Sequence, residues 1–224
     1  MQPYAVAVAG ERDGLLIVDD GGDQARTIAR SQFLLAWSRH RKGRHLRFVV
    51  DPPTADMEHA QLTAAVHAAV STTVAHLNGP VLGHSFDSNF GFSGMRRLAE
   101  QLRDTRTKTG WLRRFGSAET FSAGVGRLHE CLERTYTAPA ATRPLYAAFL
   151  DESAAALGER RLAEAATLFG ASGDLWSAIA DRAAEAIDEG SCAAPADLFS
   201  ALADLVEKAR SVEEQAVDAL RGPS

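Results

Sequence analysis

The sequence contains few of the residues that usually support covalent catalysis or cross-linking. Two cysteines, three tyrosines and three tryptophans occur among its 224 residues. A thiol enzyme needs a thiolate beside a base, whereas Cys131 and His129 lie two positions apart in a predicted helix and do not face each other. Cys192 lies in a predicted loop. We therefore expect neither a disulfide scaffold nor thiol catalysis.

Long apolar runs and an excess of positive charge are also missing. No uninterrupted apolar stretch reaches the roughly 18–20 residues that span a bilayer, and the N-terminal residues lack the pattern of a secretory signal. The formal net charge of −5 is unsuited to general nucleic-acid binding, which depends on neutralising phosphates. We expect a cytoplasmic protein that binds neither membrane nor nucleic acid.

Sequence motifs for metals and nucleotides are absent as well. His59, His67 and His76 are eight and nine residues apart, and none has a histidine partner four residues away. Gly91 and Gly94 open a predicted helix, but they lack the preceding strand and the Lys-Ser ending of a phosphate-binding loop. The sequence therefore predicts no metal site and no cofactor.

Residues 1–53 form a predicted small β-rich unit. A polar turn, Gly10–Gly14, separates two short apolar runs, the second of which is Leu15–Val18. This pattern is typical of a β-hairpin. Antiparallel pairing around the turn would bring Tyr4 opposite the end of the second strand, near Asp19. The other elements predicted in this region are a helix capped by Ser31 and a strand at Leu46–Val50.

Residues 54–224 are alanine-rich, and their apolar residues recur at helical spacing. Met57–Leu77 predicts a long helix that ends at Asn78-Gly79-Pro80. Later helices are predicted at about 93–105, 118–136, 143–157, 160–169, 173–188 and 196–220. The apolar stripe of the last helix fits either packing within the chain or a homodimer seam through 196–220. The predicted fold class is α+β, mainly α, with a small antiparallel sheet packed against a multi-helix module.

Two stretches of the chain have a distinctive order of residues. One is Asn89–Leu98, and the other is Arg143–Leu150, with Trp111 between them. Together they resemble the helical C-terminal half of the butirosin-biosynthesis protein H family. The upstream segments Tyr4–Gly10 and Leu15–Asp19 look like the part that precedes this half in the family. The resemblance implies bacterial natural-product biosynthesis.

The resemblance also implies what is missing. In the family, a papain-like half carries a catalytic His on one strand and its Asp partner at the end of another. Here Tyr4 stands in the His position, Asp19 keeps the Asp position, and the segment that would hold the nucleophilic Cys is absent. Alanines also replace the expected glycines in the loop 135–141. We therefore interpret the N-terminal unit as the remnant of a papain-like half.

The candidate catalytic residues are Tyr4, His84 and Asp19. Tyr4 beside a carboxylate can donate a proton or a hydrogen bond to a developing oxyanion. It also fits a strand aromatic whose hydroxyl caps the sheet edge. His84 is a candidate acid or base, with Asp87 to orient it and Asn89 to hold a carbonyl oxygen. The same loop residues also fit local turn chemistry, in which Asp, Asn and Ser satisfy backbone groups.

Further substrate-binding candidates lie later in the chain. Arg143 and Tyr146 open a predicted helix, and Trp111 belongs to the resemblance. Arg143 can bind a carboxylate or a phosphate, or it can form a structural ion pair with Glu133 or Asp151. We expect the helix start at Arg143–Tyr146, Tyr4 and the loop 84–90 to reach one pocket between the sheet and the helical module.

Three functions fit these observations. The first is a tailoring enzyme that cyclises, dehydrates or condenses a polyketide- or peptide-type substrate by non-covalent acid–base catalysis. The second is an acyltransferase that acts on an acyl thioester bound to a carrier protein. The third is a catalytically inactive partner that binds a substrate or another subunit.

Overall fold

The architecture is α+β and mainly helical, as the sequence predicts. The structure is a computed structural model. It describes residues 6–19, 24–39, 47, 49, 57–135, 137–188 and 195–221. The chain divides into two compact units, residues 1–56 and 57–224. The first unit contains a three-stranded antiparallel sheet, and the second is built from helices.

The predicted hairpin is present in the first unit. Strands β1 (Ala7–Arg12) and β2 (Leu15–Asp19) pair antiparallel. The two-residue turn between them consists of Asp13 and Gly14, whose φ angles are 54° and 76°. Two successive positive φ angles match the twist of the flanking strands, and an Asp-Gly pair is typical of such turns.

The rest of the first unit differs from the prediction. Strand β3 (Arg26–Ala29) pairs with β2 and continues directly into helix α1 (Arg30–Ser38). Ser31 was expected as the helix cap, but the N-cap is Ala29, which makes no side-chain hydrogen bond. The helix begins earlier because the strand runs straight into it. The strand predicted at 46–50 lies largely outside the described residues, and its two described positions are not in a strand.

Helices α2 to α8 form the second unit. They are α2 (His59–Asn78), α3 (Gly91–Arg103), α4 (Trp111–Phe115), α5 (Ala118–Glu133), α6 (Arg143–Leu157), α7 (Arg160–Asp188) and α8 (Pro195–Arg221). Short 3₁₀ turns precede α3 and α6, at Ser85–Asn89 and Ala140–Thr142. Within the described ranges, no helix is both long and apolar enough to cross a membrane.

One helix replaces two that the sequence predicts. Helix α7 runs from Arg160 to Asp188 without the break expected near Gly170. A glycine inside a helix costs only about 1 kcal/mol relative to alanine, so packing against α6 and α8 outweighs it. At Gly173, an added Cβ would lie 3.2 Å from two ring carbons of Pro144. Glycine therefore lets the start of α6 approach α7 closely.

Two hydrophobic clusters fill the helical unit. One lies among α3, α5, α7 and α8 and includes the fully buried Val125 and Phe199. The other lies among α2, α6, α7 and the end of α8 and includes Leu150 and Leu162. Helices α7 and α8 contribute to both clusters, so these two long helices are the common support of the unit.

Candidate functional site

The loop before α3 is organised by the Asp87 carboxylate. Its Oδ1 accepts hydrogen bonds from the backbone N–H groups of Val81 (2.8 Å) and Leu82 (2.7 Å), and its Oδ2 accepts one from the N–H of His84 (2.9 Å). The Leu82 hydrogen bond is the main cause that lowers the pKa of Asp87, and the bonds from Val81 and His84 add to it against the effect of burial. The carboxylate therefore fixes the course of the loop.

The other predicted loop residues also make local contacts. The Nδ1 atom of His84 accepts a hydrogen bond from the backbone N–H of Phe86 (3.2 Å), and the Nδ2 of Asn89 donates to the carbonyl of Phe86 (3.0 Å). His84 and Asn89 are exposed. Asp87 meets the backbone of His84 and not its ring, so these contacts are those of the turn-chemistry interpretation.

The remaining predicted catalytic residues belong to the first unit. Tyr4 lies outside the described residues. Asp19 is the exposed last residue of β2, and it pairs with Ala7 across the hairpin.

Arg143 takes part in a buried network. Its Nε and NH2 donate to the two carboxylate oxygens of Glu213, at 2.8 and 3.2 Å. Glu213 is fully buried and also accepts hydrogen bonds from Ser172 Oγ (2.6 Å) and Trp176 Nε1 (3.2 Å). A third donor, Arg143 NH1, reaches the carbonyl of Ala141 at 2.9 Å. The ion pair joins α6 to α8, and its carboxylate is Glu213 in place of the expected Glu133 or Asp151.

Trp111 and Tyr146 pack in different clusters. The Trp111 ring contacts Phe199 with ring centroids 5.7 Å apart, in the first cluster. Tyr146 lies in the second, 4.8 Å from the Phe169 ring centroid. Its hydroxyl oxygen is buried and forms no hydrogen bond of normal geometry within the described part of the chain. Burial raises the pKa of Tyr146.

His67, which the sequence analysis weighed only as a metal ligand, takes part in a second polar network of the helical unit. His67 Nε2, in α2, lies 2.6 Å from Oε1 of Glu159, just before α7. The second carboxylate oxygen of Glu159 accepts a hydrogen bond from Arg161 Nε at 2.8 Å. The NH1 of Arg161 donates to the carbonyl of Leu220 at 2.8 Å, which ties the network to the end of α8.

The protonation of this network follows from its contacts. Burial acts to raise the pKa of Glu159, but the hydrogen bonds and charges of Arg161 and His67 outweigh it and leave the pKa below its ordinary value. Glu159 is therefore an ionised acceptor at neutral pH, so His67 Nε2 carries a hydrogen and donates it. The Nδ1 atom of His67 makes no hydrogen bond within the described part of the chain.

The network borders an open cavity of about 340 Å³. The polar residues that line it are His67, Ser71, Asn78, Arg161 and Arg221, and apolar side chains of α2 and α8 complete the wall. A larger depression of about 500 Å³ lies between α7 and α8, but its lining includes no histidine. In the described ranges, no three or more His, Cys, Asp or Glu residues form a group suited to a metal ion.

Sequence reasoning missed this site because its members are far apart in the chain. His67 and Glu159 are separated by 92 positions. The local sequence gives one indication of the site, the helix break at Gly158. This glycine is the C-cap of α6 and has a left-handed backbone with a φ of 70°. That break places Glu159 at the start of the next helix, but it does not say which helix faces it.

Comparison with known proteins gives a family. Residues 35–220 match the family described as a domain of unknown function, DUF4872. The match covers most of the chain, which therefore belongs to this family. No curated protein and no solved structure matches the chain.

Proposed function

We propose that this member of the DUF4872 family is an enzyme that acts on a small molecule by non-covalent acid–base catalysis at His67. The observation that carries the proposal is the 2.6 Å contact between His67 Nε2 and Glu159 Oε1 at the edge of a cavity. A histidine oriented by a carboxylate is a common arrangement for proton transfer near neutral pH.

The roles of the three groups follow from their contacts. Because Glu159 holds the hydrogen on Nε2, a neutral His67 has its lone pair on Nδ1, which is then the base. The Glu159 carboxylate stabilises the imidazolium that forms when Nδ1 takes a proton. Arg161, bonded to the same carboxylate at 2.8 Å, keeps Glu159 ionised, so that the proton stays on the imidazole until it is returned.

The resemblance to the butirosin-biosynthesis protein H family supports the choice of substrate. It favours a polyketide- or peptide-type molecule of bacterial natural-product biosynthesis, and a cyclisation, a dehydration–addition or a condensation. Acyl transfer from a carrier-bound thioester is the nearest variant. In that case His67 would take the proton of the attacking amine and deliver it to the departing thiolate.

The test is a comparison of two histidines on α2. Mass spectrometry of small acyl thioesters and amine or hydroxyl acceptors, incubated with the full chain, identifies a substrate. His67→Gln should then lower kcat by roughly 10²–10⁴-fold, with little change in substrate affinity. Glu159→Gln should lower it less. His76→Gln alters an exposed side chain on the same helix and should retain wild-type turnover.

Near-normal turnover in a folded His67→Gln variant would remove the acid–base proposal. The binding-partner function would then be favoured by a second observation. Leu82, Phe86 and Phe90 expose 52%, 63% and 40% of their surface in one loop. Loss of partner binding in Phe86→Ser, with His67→Gln unaffected, would support that alternative.

A further inference from the structure

The polar lining of the cavity is basic. His67, Arg161 and Arg221 line it, and no aspartate or glutamate is among the described residues that do so. Glu159 contacts His67 and Arg161 but does not line the cavity. Two guanidinium groups at the border of a small cavity offer charged hydrogen-bond donors to an anionic ligand, and the carboxylates beside them, Glu159 and Asp218, are not part of the lining.

Arg161 retains hydrogen-bond donors for such a ligand. Its Nε donates to Glu159 and its NH1 donates to the carbonyl of Leu220. Its NH2 lies 3.3 Å from His67 Nε2. That nitrogen carries a hydrogen, which it donates to Glu159, so it has no lone pair with which to accept a hydrogen bond from NH2. A guanidinium group has five N–H donors, so those of NH2 are left without an acceptor in this network.

Arg221 contributes a second cation that is only loosely paired. Its NH1 lies 3.6 Å from Oδ1 of Asp218, and its side chain is 52% exposed. That separation is too long for a hydrogen bond. Arg221 directly follows Leu220, whose carbonyl binds Arg161, so the two guanidinium groups border the same cavity from α7 and α8.

We propose that the cavity binds an oxyanion group of the substrate, a carboxylate or a phosphate, through Arg161 NH2 and the Arg221 guanidinium. The inference rests on the proposed function, because it names the ligand chemistry of the same cavity. Guanidinium groups match the paired oxygens of both anions. A volume of about 340 Å³ is near the lower end for ligand sites and suits the charged end of a molecule.

The experiment measures anion binding separately from turnover. Inorganic phosphate and acetate are titrated into the ¹⁵N-labelled full chain, and the amide shifts of residues 67–78 and 219–221 are followed. At least one probe should give saturable shifts there. Arg221→Gln should weaken that binding about tenfold or more, as expected for the loss of a charged hydrogen bond. Arg96→Gln is the matched control, since Arg96 is exposed and loosely paired with Glu100 on α3.

Arg221→Gln is preferred to Arg161→Gln because Arg161 also holds Glu159 and the end of α8. The absence of saturable shifts with either probe, or equal weakening of anion binding by Arg221→Gln and Arg96→Gln, overturns the inference.

The His67→Gln variant separates the two proposals. Saturable anion binding to the wild-type chain, together with normal turnover of His67→Gln, contradicts only the catalytic proposal. Loss of turnover in His67→Gln, when the wild-type chain binds neither anion, contradicts only the anion site.

Discussion

Positive φ angles occur at three consecutive residues that are not glycine. They are 56° at Ala140, 53° at Ala141 and 71° at Thr142. This left-handed backbone costs an L-residue about 1–2 kcal/mol. The Glu133 carboxylate accepts the N–H of Ala140, and Arg143 NH1 binds the carbonyl of Ala141. Ala140 and Ala141, which stand where glycines were expected, thus occupy the conformation that glycine adopts most easily, and partly buried hydrogen bonds hold them there.

We expect Ala141→Gly to change stability little. The loss of a buried methyl, about 0.8 kcal/mol, and the added chain entropy are offset by relief of the left-handed conformation. Ala165→Gly is the matched control, because Ala165 is fully buried inside helix α7. It should lose about 2 kcal/mol from the methyl and the helix propensity together. Urea titration measures the free energy of unfolding of both variants. An equal decrease in Ala141→Gly and Ala165→Gly would contradict the proposed strain in the turn.

At the scale of elements, the Arg143–Glu213 pair should matter for stability. Arg143→Met leaves the fully buried Glu213 without its cation and should lower the free energy of unfolding by about 3–5 kcal/mol. The double variant Arg143→Met/Glu213→Leu should recover much of that loss. Arg210 pairs with Glu207 and Glu214 on α8 alone, so Arg210→Ala should cost about 0–1 kcal/mol.

Denaturant titration of these variants distinguishes a structural Arg143 from a substrate-binding one. A loss below about 1 kcal/mol for Arg143→Met would argue against the structural role, because removing one partner of a buried pair is strongly destabilising.

Local patterns predicted most of the elements, and tertiary packing decided the rest. The hairpin and the end of α2 follow from turn residues and helix-ending residues next to each other in the sequence. The continuation of α7 through Gly170 does not, because contacts of α7 with α6 and α8 outweigh the local preference. The capping role expected of Ser31 failed for a similar reason, since β3 leads directly into α1.

At the scale of the whole molecule, the stripe of α8 is used within the chain. Leu202, Ala209 and Ala216 are fully buried there, against neighbours from other helices. Leu202→Ala should therefore lower the free energy of unfolding by about 2–5 kcal/mol without changing the molar mass in light scattering. Leu145→Ala, at a position 64% exposed, should change stability by less than about 0.5 kcal/mol. A smaller molar mass for Leu202→Ala, at unchanged stability, would indicate a dimer seam.

The candidate site itself could not be read from the sequence. Helical periodicity places His67 on α2, but the 92 positions between His67 and Glu159 give no pattern that predicts their contact. The sequence predicts a site in the loop at 84–89 because its polar residues are adjacent in the chain. Adjacency of that kind is typical of turns, and Asp87 accordingly binds backbone N–H groups.

The most direct test of the central claim is the kcat of His67→Gln beside that of His84→Gln on the same substrate. His84 is exposed and caps a 3₁₀ turn, whereas His67 is held by Glu159 beside the cavity. The account predicts a loss of roughly 10²–10⁴-fold for His67→Gln and near wild-type turnover for His84→Gln. The reverse order, in variants that remain folded, would contradict the claim and place the acid–base group in the loop before α3.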